Sequence, residues 1–194
     1  MTVPDLHGGP VSEISDRRVR DLGARLRAAP ARAGRTRVLA IDGRSGAGKS
    51  TLAALLHREW DAPVVSLEDL YGGWDGLQRG VDLLVSEVLV PLAAGRTAYV
   101  PRYDWTSGRW RAPAELPPPA LLIVEGVGAG ARRAAGYASA LVWLEADERT
   151  RRRRALDRDG DTYAPHWDRW AAQEAELLAR ERTWDRADVV FCDH

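Results

Sequence analysis

An α/β fold, with a five-stranded parallel sheet covered by helices on both faces, is predicted from three observations. Five short apolar runs recur along the 194-residue chain, the pattern of strands buried on both sides. Segments of helical period separate them. A glycine-rich loop follows the first run directly and opens a helix.

The elements follow in order. Residues 16–29 carry Val19, Leu22 and Leu26 at helical spacing, with Ser15 as the expected N-cap. Arg37 to Asp42 is a first buried strand, Ser50 to Trp60 a helix, and Ala62 to Leu67 a second strand. Val81, Leu84, Val85, Val88 and Leu92 share one helical face, and Pro91 is expected to kink or end that helix. Leu121 to Val124 and Ala140 to Leu144 are further strands. Glu148 to Asp157 is an arginine-rich helix. Pro165 opens a helix whose apolar face holds Trp167, Trp170, Ala171, Leu177 and Leu178, and Val189 to Phe191 is the last strand. Ala112 to Pro119 and Arg158 to Ala164 read as surface loops, the second as a short lid. Residues 1–35 are expected to form an N-terminal segment and a helix packed on a core domain, residues 36–194.

Composition narrows the classes of function. Acidic and basic residues balance at 28 each, so nothing calls for nucleic acid or an anionic membrane as partner. No apolar run reaches the length of a membrane span. A single cysteine, Cys192, excludes a disulfide within one chain and suits a reducing, cytoplasmic setting. The four histidines, His7, His57, His166 and His194, have no metal-ligand spacing. One lysine, Lys49, stands among 28 basic residues. A position that keeps lysine where arginine is nearly universal calls for a compact ammonium on a flexible stem.

That lysine lies in Gly43-Arg44-Ser45-Gly46-Ala47-Gly48-Lys49-Ser50-Thr51, which matches G-x-x-x-x-G-K-[ST] between a buried strand and a helix. Glycines let backbone N–H groups curl around phosphate oxygens, and the helix N-terminus adds its dipole. Lys49 is expected to reach the β- and γ-phosphates of ATP, and the Ser50 hydroxyl to ligate Mg²⁺. The fold so implied is a three-layer P-loop NTPase fold with a short helical lid.

Three further motifs accompany the loop: Glu68-Asp69-Leu70-Tyr71, Pro101-Arg102-Tyr103-Asp104-Trp105 and Glu125-Gly126. Their order resembles the uridine kinase and phosphoribulokinase family of P-loop kinases, over roughly residues 36 to 191. The resemblance implies an ATP-dependent kinase of a small hydroxyl compound, a nucleoside such as uridine or cytidine foremost. Other acceptors (a sugar, a vitamin, an antibiotic) and a regulatory ATPase are the alternatives. It implies that Glu68 accepts the acceptor's hydroxyl proton, with Asp69 the neighbouring candidate. It implies that Tyr71, Asp75, Tyr103, Asp104 and Trp105 line the acceptor pocket, Asp75 through a diol. Trp110 adds aromatic surface that could stack on a base. It implies that Glu125 stands near Mg²⁺ with Ser50. The chain departs from the family in Thr106-Ser107-Gly108-Arg109, which lacks the histidine that helps to read a pyrimidine.

In the arginine helix, Asp147 to Arg151, Glu148 to Arg152 and Arg153 to Asp157 are spaced for i, i+4 ion pairs. Arg154 and Arg158 have no acid four residues before them. The resemblance gives arginines of this helix and lid the transferred phosphate, whose oxygens fit a guanidinium fork.

Overall fold

The computed structural model describes residues 16–193; Ser15 lies outside them. Helix α1 (Asp16–Ala28) precedes β1 (Arg37–Gly43), which runs into α2 (Lys49–Trp60). Strand β2 (Val64–Ser66) is followed by a helical stretch made of α3 (Leu77–Leu83), a π-helical segment (Leu84–Leu89) and α4 (Val90–Ala93). Strands β3 (Ala98–Asp104) and β4 (Arg109–Leu116) come next, then β5 (Leu121–Glu125), α5 (Arg132–Ala135) and β6 (Ala140–Ala146). The chain closes with α6 (Glu148–Asp159), α7 (Trp167–Glu181) and β7 (Val189–Asp193).

Five strands form the parallel sheet in the order β2-β5-β1-β6-β7. β1 is central, so the loop that follows it emerges mid-edge, where ligand crevices form in such sheets. Alternate side chains of β1 serve opposite faces. Leu39 and Ile41 pack with Leu22 and Leu26 of α1 and Leu52 and Leu56 of α2. Val38 packs on the other side, with Val81, Leu84, Val88 and Leu92. Each fully buried leucine of this kind contributes about 1.5–3 kcal/mol.

Three expectations need correction. The segment Ala112 to Pro119 is not all loop: its first half belongs to β4, which pairs antiparallel with β3 as a separate two-stranded sheet. Arginines and Pro113 hide the strand pattern, as they can in a ribbon with a solvent face. The helix does not end at Pro91 but continues to Ala93. Pro91 falls in the first turn of α4, after the wider π segment, so its missing N–H and its ring are accommodated. The second strand stops at Ser66, because Leu67–Asp69 turns as a 3₁₀ helix capped by the Ser66 hydroxyl, which accepts from the Glu68 N–H at 3.3 Å.

Candidate functional site

The sheet register sets the site. Ile41, Glu125 and Ser66 lie abreast on β1, β5 and β2 at the carboxyl edge. The Glu125 carboxylate, 4% exposed, accepts from the Ser66 hydroxyl at 2.6 Å and the Ser50 hydroxyl at 3.2 Å. Burial raises its pKa above the usual glutamate value, while the Lys49 charge and the Ser66 hydrogen bond pull it down. Lys49 is itself buried, and its Nζ donates to the Arg44 carbonyl at 2.9 Å.

A second carboxylate shapes the neighbouring backbone. Asp42, fully buried, accepts from the N–H groups of Gly43 (2.7 Å), Gly128 (2.9 Å) and Gly130 (3.0 Å). It ties the glycine-rich loop to the turn after β5. Burial raises its pKa, opposed by those backbone bonds.

The far side of the loop is clamped by α6 and α7. Glu174, 2% exposed, accepts from the Ser45 N–H and the Trp170 Nε1–H, each at 2.9 Å. Trp170 Nε1 also lies 3.0 Å from Ser45 Oγ. Arg151 turns inward, its Nε donating to the Ala146 carbonyl at 3.0 Å and its guanidinium to the Ser45 carbonyl at 3.3 Å. The expected Asp147–Arg151 pair gives way to this: the Asp147 carboxylate caps α6 by accepting from the Thr150 N–H at 2.9 Å. Gly46, at φ +80°, passes so close beneath Arg151 that an added Cβ would stand 2.2 Å from its carbonyl oxygen.

Gly48, Lys49, Ser50 and Thr51 line a cavity of about 580 Å³. Glu68, Arg154 and Arg158 line it too, with Tyr71, Trp74, Trp105, Tyr163 and Trp170. Glu68 pairs with Arg158 at 3.2 Å. Asp69, beside it, is outside this lining; burial raises its pKa and nearby Arg102 lowers it. The Tyr71 hydroxyl donates to the Val127 carbonyl at 3.0 Å.

Other residues singled out in the sequence lie elsewhere. Asp75 is exposed and paired with Arg169, outside the lining. Tyr103 packs against Trp105 and Trp110. Asp104 holds Arg111 at 2.7 Å across the β3–β4 hairpin, and that bond lowers its pKa to about 2. Trp110 is on the same hairpin, with Arg79 against its ring. His166 stacks on Trp74 at 4.4 Å.

The hard oxygens of Ser50 and Glu125 fit a Mg²⁺ ion that draws its remaining ligands from phosphate and water. Among the described residues, no group of three or more His, Cys, Asp or Glu is arranged to hold a metal unaided. Nor is any helix among them long and apolar enough to cross a membrane.

Sequence reasoning missed Asp42, Arg151 and Glu174. Glu174 did leave a signal. It falls four residues after Trp170 and three before Leu177, on the apolar stripe of α7.

No family model and no curated protein matches the chain. Solved structures do. A possible uridine kinase from Bacillus stearothermophilus superposes with a TM-score of 0.63 at 22% identity, over 90% of this chain and 97% of that one. A protein provisionally designated a fructose transport system kinase, from Silicibacter sp. TM1040, superposes with a TM-score of 0.56 at 21% identity, over 94% and 99%. At these identities the likeness speaks for architecture, and with the parallel sheet and its helical layers it gives the chain the fold of the P-loop kinases.

Proposed function

We propose that this protein transfers the γ-phosphoryl group of ATP to a hydroxyl group of a small molecule. One observation carries the reading: the glycine-rich loop with the sole lysine, Ser50 and the Glu68 carboxylate all line one cavity, and the Ser50 hydroxyl is hydrogen-bonded to the Glu125 carboxylate behind it. Such transfer is mostly positioning and charge stabilisation.

The loop's N–H groups and Lys49 hold the phosphates. Ser50 and Glu125 hold Mg²⁺, which when bound neutralises charge on the β- and γ-oxygens. Glu68 serves as base, favoured over Asp69 by its place on the lining. The acceptor oxygen bonds to the γ-phosphorus as the bond to the β–γ bridging oxygen breaks. The hydroxyl proton passes to Glu68, and ADP leaves. Arg154 and Arg158 face the charge that develops between them and the loop.

Acceptor-dependent ADP release with Mg²⁺ and ATP tests the proposal, with uridine and cytidine heading the panel. Lys49→Ala should abolish turnover, a loss of about 10³-fold or more, with the circular dichroism spectrum retained. Near-normal turnover in that variant overturns it.

A further inference from the structure

We propose, resting on the kinase reading above, that the acceptor is a flat heteroaromatic ring carrying a hydroxymethyl group, held by its faces and edges more than by hydrogen bonds.

Much of the cavity lining is aromatic. Trp74 stands at the centre of this aromatic wall, 4.8 Å from Trp105 and 6.3 Å from Trp170, both edge-on. Tyr163 stacks on Trp74 at 5.2 Å. All four line the cavity that holds Lys49 and Glu68.

Three polar handles of that wall are engaged within the protein. Trp105 Nε1 donates to the Glu68 carbonyl at 3.0 Å, and Trp170 Nε1 to Glu174. The Tyr163 hydroxyl bonds Ser45. Apart from the Trp74 indole N–H, what these rings turn to a ligand is carbon, which suits offset or edge-on contact with another ring.

The carboxylates point the same way. Glu68 is the one carboxylate that lines the cavity among the described residues, and the reacting hydroxyl takes it. The acids able to hold a diol are committed elsewhere, Asp75 to Arg169 and Asp104 to Arg111. A ribose or a sugar would press further hydroxyls against indole carbon with no second carboxylate on the lining to accept from them, which is costly. A cationic acceptor would meet Lys49, Arg154 and Arg158 on the same lining. A single hydroxymethyl on a ring meets neither penalty. Its oxygen forms the new bond to phosphorus, its proton goes to Glu68, and ADP is the leaving group.

The test uses the full chain with Mg²⁺ and ATP, reading ADP release and, separately, acceptor binding by calorimetry. The probes are 3-pyridylmethanol, 5-(hydroxymethyl)pyrimidine and pyridoxine, against uridine, cytidine, ribitol, glucose and choline. The hydroxymethyl heteroarenes should exceed the nucleosides in kcat/KM by about tenfold and the polyols by about a hundredfold. Trp105 is only half-buried, so Trp105→Leu keeps apolar volume and should fold. It should raise KM for the ring acceptor about tenfold, more than KM for ATP, and Trp105→Phe should restore most of the loss. A nucleoside, polyol or choline as best acceptor overturns the inference and leaves the kinase reading standing, as does an unchanged KM in Trp105→Leu. Ring probes that bind without ADP release with any acceptor overturn the kinase reading and leave the ring site. Neither binding nor turnover overturns both.

Discussion

The five-stranded sheet and the β3–β4 hairpin are both made of β-structure, yet they use carboxylates in opposite ways. At the edge of the sheet, Asp42 and Glu125 are buried, and desolvation raises both pKa values. Each is retained by directed hydrogen bonds, to backbone N–H groups or serine hydroxyls. On the hairpin, Asp104 is partly exposed, and Arg111 lowers its pKa to about 2. The buried acids cost stability in exchange for shape at the site. The hairpin one is held by its ion pair and shapes only its own turn and strand pair. Surroundings, not residue type, decide which way a carboxyl shifts: desolvation raises Asp42 and Glu125, and the Arg111 hydrogen bond lowers Asp104.

This contrast can be broken by experiment, and Asp42 is the strongest place to try. Asp42→Ala orphans three buried N–H groups, so it should destabilise the protein by about 3–5 kcal/mol, read from the urea midpoint. A loss below 1 kcal/mol, roughly that of an ordinary surface change, would erase the distinction between the two regions.

Glu174 sharpens the contrast from α7. Glu174→Ala should weaken Mg²⁺–ATP binding about tenfold or more by calorimetry, since the Ser45 peptide loses its charged acceptor. Glu174→Gln, which still offers an oxygen to Ser45 and Trp170, should recover most of the affinity. Equal losses in both variants would show that charge matters and that hydrogen-bond geometry does not.

Glu125 tests the sign of the buried shift. Its folded pKa lies above the unfolded value, so its ionisation favours the unfolded chain. The fold loses stability from this group as pH rises through the folded pKa, and the loss persists at neutral pH. Glu125→Gln should therefore raise the urea midpoint at pH 7 while weakening Mg²⁺-dependent nucleotide binding. A lowered midpoint would contradict the argument.

The smallest effect is expected at Asp104, whose shift has the other sign. Its contribution is fully present above pH 3.8 and is lost as pH falls toward about 2. Because Arg111 is exposed and the hairpin is a sheet separate from the core, Asp104→Asn should leave the global midpoint at pH 7 nearly unchanged and speed amide exchange only in the hairpin.

The same burial divides what was legible in the sequence from what was not. β1 and β5 announce themselves as apolar runs because both of their faces are covered, and the glycine-rich loop because phosphate-binding geometry tolerates few substitutes. β4 carries Arg109, Arg111 and Pro113 and faces solvent along much of its length, so alternation never appears. Lys49, Ser50 and Glu68 are recognisable from local pattern, and they share the cavity. Glu174 and Arg151 are not, because their partner, the Ser45 peptide, is more than a hundred residues away and leaves no local trace. Asp75 and Asp104 follow the family's order of motifs, but the arginines that hold them, Arg169 and Arg111, belong to elements that order does not describe.

The solitary lysine makes the loop chemically addressable. An amine-directed acylating reagent meets a single ε-amino group in the whole chain, buried in the loop after β1. Covalent labelling at that one position therefore reads out loop occupancy directly. Each nucleotide, nucleotide analogue or loop variant can be ranked by how far it shields Lys49, without assaying turnover and without introducing a reporter group.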